Sequence, residues 1–330
     1  MPSWRALQTG GAVLCFHSVT TPALSAGGSA HVSVDAFKSF IRIGRRLGEF
    51  VPLAELVRRH QAGRTTAGLL AVTFDDAYAA VLTELADFIS AQSVPVTVFV
   101  TTEAAATGAR FWWDRVDDAH TRVPRERWRA FEDACGLPDE YRQGQPRGFG
   151  PLRPFRQWML ATDAGRWPDR LEPVLRQLER EIGDEPAHRS MTFEEIAVLN
   201  RLPEVDIGVH TATHPVLPLL SDDSLRREIE AAHMALRERF SGVLPMLAIP
   251  FGLYDQRTLR IARSSGMLAS FTLAGTLRTS NGDGGVPRLC ITTNDTGMAL
   301  GIRLCGLTDV VRRWASSDLV TYPDLPSPTT

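Results

Sequence analysis

The chain has 330 residues, 44% hydrophobic and 22% charged, with a formal net charge of −2; this allows one large domain or two modest ones and gives no long-range field to gather nucleic acid or an anionic membrane. Lys38 is the only lysine, which argues against Schiff-base and P-loop chemistry. The cysteines Cys15, Cys135, Cys290 and Cys305 form no CxxC pair, so reduced thiols are expected rather than a disulfide framework or a sequence-local zinc knuckle.

From the start of the chain, "MPSWRALQTGGAVLCFHSV" has no basic region, long apolar segment or small-residue cleavage site, and no stretch reaches the ~20 apolar residues of a membrane span. A soluble, cytoplasmic protein with no integral membrane segment is expected. "AVLCFHSV" reads as a buried strand ending at His17, followed by a helical pattern at 33–48 and a strand at 69–74. Ala80, Val81, Leu85, Phe88 and Ile89 recur at helical spacing within 77–92, and "VPVTVFVTT" is the next strand, which completes a βαβ unit. After a break the alternation resumes: a helix at "MTFEEIAVLN", a strand at "VDIGVH", a helix at 221–240, a strand at "VLPMLAIP", a helix at 255–265 and a strand at "MLASFTL". Short continuous apolar runs are the pattern of parallel strands covered by helices on both faces, and the repeated unit favours a barrel.

The break, at 103–189, holds Trp112, Trp113, Trp128, Trp158 and Trp167 and is read as an inserted cap over the strand ends. Its tryptophans are either a small core of the insertion or, for Trp112 and Trp113 in "FWWDR", faces on which a sugar ring can stack. Asp114 could bond a hydroxyl or cap a helix. The expected organisation is therefore 1–102 and 190–318 as the barrel, 103–189 as the cap and 319–330 as a flexible tail. Leu300, Leu304, Leu307 and Val311 lie at helical spacing near the end, a face for core packing or for a second subunit; the oligomeric state stays open.

Two strand ends carry chemistry. "LAVTFDDAY" ends an apolar run in Asp75 and Asp76, a pair that requires a cation, a proton or strong donors nearby. "VDIGVHTATHP" delivers His210 at the end of its strand and His214 four residues on, so one helical turn would put both imidazoles on a face that can hold a divalent metal. Adjacent side chains on an extended backbone point different ways, so one aspartate is expected to bind the metal and the other to face the substrate. The competing reading makes Asp76 a helix cap and Asp75 half of a structural ion pair.

"TFDDAY", "HTATHP" and "AIPFGLYD", in this order and at strand ends, resemble the motifs of the polysaccharide deacetylase family, also called the NodB-homology or carbohydrate esterase 4 family. The resemblance covers roughly 10–102 and 190–290. It implies a distorted (β/α) barrel of about seven strands, with the inserted segment as a helical cap. It further implies Asp75 as catalytic base, Asp76, His210 and His214 as ligands of one divalent ion (zinc, with cobalt, nickel or manganese as alternatives), and Pro250, Phe251 and Gly252 as a groove wall with the Phe251 N–H as oxyanion donor. Two departures stand out: Ala248 occupies the place where the family often has a base-orienting arginine, and no histidine follows His233 to serve as a late general acid. Arg288 in "GVPRLC" is the candidate for the first role, and His17, which resembles the strand-end histidine of members with an N-terminal acid-bearing strand, for the second. His31, His60, His120, His188 and His233 are read as bystanders.

The function that the resemblance implies is metal-dependent removal of an N-acyl group, chiefly acetyl, from an amino sugar, a nucleotide- or lipid-linked sugar or a glycosylated small molecule. The alternatives are hydrolysis of a non-sugar amide or of a cyclic imide or ureide, a deformylase, and a carbohydrate-binding protein without turnover.

Overall fold

The computed structural model describes residues 10–21, 30–143, 153–183, 188–273, 285–293 and 295–304. The expected tail at 319–330, and residues 305–316 of the apolar pattern near the end, lie outside the described residues.

The chain opens with strands β1 (Ala12–Phe16), β2 (Ser18–Thr20) and β3 (His31–Ser33), helix α1 (Val34–Leu47), strand β4 (Glu49–Phe50), helix α2 (Leu53–Gln61) and strand β5 (Leu69–Phe74). The helix expected within 77–92 starts late: a turn at Asp76–Tyr78 leads into a π turn at Val81–Leu85, then α3 (Ala86–Ala91). Strand β6 (Val96–Val100) is followed by α4 (Thr102–Thr107), α5 (Trp112–Arg122), α6 (Arg125–Cys135), α7 (Asp139–Gln143), α8 (Arg153–Thr162) and α9 (Glu172–Ile182). The alternation then returns with α10 (Phe193–Leu199), β7 (Val205–Val209), α11 (Asp222–Arg237), β8 (Met246–Ala248), α12 (Gln256–Ser264), β9 (Ala269–Thr272), β10 (Gly285–Pro287), β11 (Leu289–Cys290) and α13 (Gly297–Leu304).

The strands run in the order β10-β9-β8-β7-β6-β5-β1-β11, with β4 added on β5, and every pairing is parallel. Arg288 alone separates β10 from β11. Because β10 pairs with β9 and β11 with β1, this one segment joins the two ends of the sheet and closes the barrel. Counting it once, the staves are β1, β5, β6, β7, β8, β9 and β10–β11. These are the seven of the distorted (β/α) barrel.

Side chains alternate across each stave. Leu14, Leu70, Val72, Val98, Ile207 and Leu247 face outward and pack on the buried sides of α1, α10, α11 and α12. Val13, Ala71, Phe99, Ala248, Phe271 and Val286 form a separate inner cluster, joined by Leu53, Leu56 and Val57 of α2. Gly208 on β7 is an inner position with a reason: a Cβ there would lie 2.5 Å from the Phe99 ring. Helices α5–α9 surround a third cluster, built from Trp112, Val116, Trp128, Phe131, Phe155, Trp158, Leu175 and Leu178. Ion pairs tie its periphery, with Arg115 held between Glu172 and Glu179.

Candidate active site

Asp75 follows β5 directly, and its N–H still pairs with the Phe16 carbonyl of β1 at 2.9 Å. Period two makes 71, 73 and 75 inner positions, and the same alternation makes Val286, Arg288 and Cys290 inner positions on the closing stave. The two meet: Arg288 donates from both terminal nitrogens to the two carboxylate oxygens of Asp75, at 2.7 Å each, and also to Thr73 Oγ1 at 3.2 Å. Arg288 is 0% exposed, with its guanidinium over the rings of Phe99 and Phe271. Burial alone would raise the Asp75 carboxyl, but the charges of Arg288 and His210 hold it well below the ordinary carboxylate range. The fork-to-carboxylate geometry fixes both oxygens.

Asp76 turns away into a left-handed conformation, φ +67°, and Ala77 follows at φ +51°. Segment 188–191 pins this turn: the Ala79 N–H bonds the Arg189 carbonyl, the Met191 N–H bonds the Ala77 carbonyl and Ser190 Oγ donates to the Asp76 carbonyl. Asp76 Oδ1 is thereby placed 3.4 Å from the Nε2 atoms of both His210 and His214. Those two Nε2 atoms are 3.1 Å apart. All three side chains are buried, and Asp76 Oδ1 makes no hydrogen bond of good geometry. His210 Nδ1 bonds the Ala248 carbonyl at 2.8 Å, which places the Nδ1 proton there and leaves the Nε2 lone pair facing Asp76 and His214. Burial pushes His214 down to about 3. Burial also works against a charged His210, but the charges of Asp75 and Asp76 outweigh it and raise that imidazole.

The expected helical turn at "HTATHP" does not form. Thr211 and His214 both have positive φ, +65° and +60°, and the segment is a bend. Buried Glu228 of α11 shapes it by accepting from the Thr213 hydroxyl at 2.7 Å and from the N–H groups of Ala212 and Thr213. The imidazoles converge through that carboxylate rather than through helical periodicity. With Phe251 at φ +56°, five of the seven non-glycine residues with positive φ among the described residues lie in the three motif loops. Each such position costs about 1–3 kcal/mol and persists only where its surroundings enforce it.

The other candidates divide. His17 follows β1 at the same barrel end, and its Nδ1 is buried without a hydrogen-bond partner. Pro250, Phe251 and Gly252 form a tight turn after β8, and the Phe251 ring packs edge-on to His214 at 4.5 Å. Trp113 stands on the same wall, 4.8 Å from His214 and stacked on Phe111. Trp112 does not join it: the ring is buried in the core of α5–α9, and Nε1 donates to the Gly165 carbonyl at 2.7 Å.

Sequence reading missed a buried polar cluster beside this wall. Tyr78 donates to Asp114 Oδ2 at 2.5 Å and accepts from Trp113 Nε1 at 3.0 Å. His31 Nε2 lies 3.3 Å from the other Asp114 oxygen, and its ring is 4.1 Å from that of His188. Burial pushes Asp114 well up, even with Tyr78 donating to it. The two imidazoles are held below their ordinary range, again chiefly by burial. Asp114 thus does not cap a helix but accepts from the hydroxyl of Tyr78, and His31 and His188, read as bystanders from the sequence, are buried partners in this cluster. The one signal was the tyrosine of "DDAY", two residues past the Asp pair.

Fold and site define a parallel (β/α) barrel whose rim carries an Asp-His-His donor set suited to one divalent ion. Residues 190–270 match the family model described as polysaccharide deacetylase, a span that includes His210, His214 and Pro250–Gly252. Among solved structures the barrel is similar to deacetylase PplD of Streptococcus pyogenes in complex with acetate, at 14% identity and TM-score 0.58 over 90% of this chain and 99% of that one. IcaB of Ammonifex degensii is similar at 18% identity and TM-score 0.58, over 90% and 97%. A de-N-acetylase of Aggregatibacter actinomycetemcomitans is similar at 14% and 0.54, over 88% and 98%. No curated protein matches the sequence. Family match and fold agree: residues 190–270 are similar to the polysaccharide deacetylase model, and the barrel is similar to those of the deacetylases above. Among the described residues no helix is long and apolar enough to cross a membrane.

Proposed function

We propose that this protein is a metal-dependent hydrolase that removes an N-acyl group, acetyl first among candidates, from an amino sugar. The observation that carries the reading is the triangle of Asp76 Oδ1, His210 Nε2 and His214 Nε2, with sides of 3.4, 3.4 and 3.1 Å, beside an Asp75 gripped by Arg288. Three donors about 2.0–2.1 Å from a tetrahedral ion stand about 3.3 Å apart, so the set fits without rearrangement. Two neutral imidazoles and one carboxylate leave positions open, as a catalytic site requires. The family match supports carbohydrate deacetylase activity; zinc as the ion is part of this proposal.

Asp76, His210 and His214 would hold the ion, which when bound acts as a Lewis acid toward the acyl carbonyl and lowers the pKa of water. Asp75 is the proposed base. Arg288 keeps it ionised at neutral pH and fixes its direction, from the closing stave rather than from the position of Ala248. This lowers the intrinsic basicity of Asp75, and an acidified water offsets that loss. His17 is the proposed donor of the proton to the leaving amine. The Phe251 N–H is the proposed partner of the oxygen on which negative charge grows, and Trp113 with the Phe251 ring the proposed wall against the sugar. We read 103–189 as a cap that suits a small, enclosed substrate, such as a nucleotide- or lipid-linked sugar or a glycosylated small molecule, and we place the protein in the cytoplasm. The free thiols of Cys15, Cys135 and Cys290 are consistent with a reducing compartment.

The test is elemental analysis of the purified chain beside His210→Ala, followed by a screen of N-acetyl and N-formyl sugars for released acid. One ion lost in the variant, with acetate released only by the wild type, is the expected result. No ion after reconstitution, or turnover that survives both His210→Ala and Asp75→Asn, would overturn the proposal.

A further inference from the structure

A second donor cluster lies on the inner face of the same barrel end. Cys15 and His17 are two residues apart on the first stave and share its inner side. Cys290 sits in register with Cys15 across the β1–β11 pairing. The two sulfurs and one imidazole nitrogen lie within 4.8 Å of one another. We propose that Cys15, His17 and Cys290 form a second, dissociable site for a soft metal ion such as zinc or cadmium, separate from Asp76, His210 and His214.

Three observations support this. Donor chemistry comes first: two thiols and an imidazole are a set that zinc and softer ions prefer and that magnesium or calcium do not. The second is the buried His17 Nδ1, which has no hydrogen-bond partner; leaving a buried polar atom unsatisfied costs about 1–3 kcal/mol, and a ligand would satisfy it. The third is charge. With both thiols deprotonated, two thiolates and Asp75 would face the Arg288 guanidinium, with the His210 imidazole also near Asp75, and one divalent cation would offset the remaining negative charge. Within the protein Cys15 donates only weakly, 3.4 Å to Asp75 Oδ2 and 3.9 Å to the Phe16 carbonyl.

The two sites differ in readiness. Bond lengths of about 2.0 Å to nitrogen and 2.3 Å to sulfur put donors roughly 3.5–4 Å apart, so this cluster must draw in by up to about 1 Å. It should therefore bind more weakly and exchange faster than the Asp-His-His set. Occupancy would take His17 out of the proton-donating role given above, so an excess of soft metal should inhibit turnover. That consequence rests on the proposed function; the binding does not.

The experiment is a cadmium titration of the reduced, metal-free full chain, followed by the ultraviolet thiolate-to-metal charge-transfer band and by stoichiometry, with folding checked by circular dichroism. The wild type should take up two ions and develop the band. Cys290→Ser, at the less buried thiol, should lose the band and one ion, His17→Ala should weaken binding with the band present, and His210→Ala should lose one ion and keep the band. Absence of a band in the wild type, or a band unchanged in Cys290→Ser and therefore belonging to Cys135 or Cys305, would overturn the site. A wild type with the band but only one ion, retained in His210→Ala, would instead sink the Asp-His-His metal site and leave this one standing.

Discussion

The barrel rim and the helices α5–α9 are held by different physics. The rim concentrates what usually destabilises a fold: a fully buried guanidinium–carboxylate pair, three buried ligand-type side chains and five non-glycine residues at positive φ. The α5–α9 region puts aromatic and aliphatic side chains inside and keeps its ion pairs at the periphery, where Arg127 and Glu181 remain substantially exposed. The comparison teaches that the barrel's large apolar core sustains most of the strain at one end, while the helical region carries a smaller share, in buried Asp114 and Asp117 and in Ala164 at positive φ.

Removing the charge at the centre of the rim gives the largest expected effect. Asp75→Asn should lower kcat/KM by roughly 10²–10⁴, the usual contribution of a general base, as read by acetate release. Equal activity in the variant would mean that Asp75 serves only as a partner of Arg288. Arg288→Met leaves Asp75 buried and unpaired and should cost about 3–5 kcal/mol in urea denaturation. A loss below about 1 kcal/mol would show that water reaches the carboxylate.

The next test sits on the seam between the two regions. His31 and His188 are held neutral below their ordinary 6.5, His188 at about 4. Between these values the unfolded chain takes up protons that the folded chain does not, so stability should fall as pH drops from 6.5 toward 4, by on the order of 3 kcal/mol for His188 alone. His188→Gln should flatten that slope; an unchanged slope would assign it to other groups. The smallest effect belongs to the helical periphery, where Arg127→Ala should shift stability by under about 1 kcal/mol and leave metal content unchanged.

Much of this was legible in the sequence, and the reason is physical. Apolar runs that end in Asp75 and His210 announce buried parallel strands with chemistry at their ends, and the structure places both there. The shape of "HTATHP" was not legible, because positive φ at Thr211 and His214 is imposed by Glu228, well downstream in α11. Nor were β4, β10 and β11, which are too short to show periodicity. Arg288 is the instructive case. It is the candidate to orient the base, although an arginine beside a strand is more often a surface residue; Val286 faces inward while Leu289 and Ile291 pack on the outer core, and that alternation commits Arg288 to the interior.

The position of Arg288 also has a consequence for biosynthesis. The counter-charge of Asp75 arrives more than two hundred residues after it, on the segment that joins β9 to β1. A nascent chain that has emerged only as far as β9 holds two open sheet edges and a carboxylate that resists burial without its partner. Compaction at the rim is therefore deferred until the last stave docks. A chain truncated after residue 273 should be digested readily by added protease at the loop after β5, where the complete protein resists.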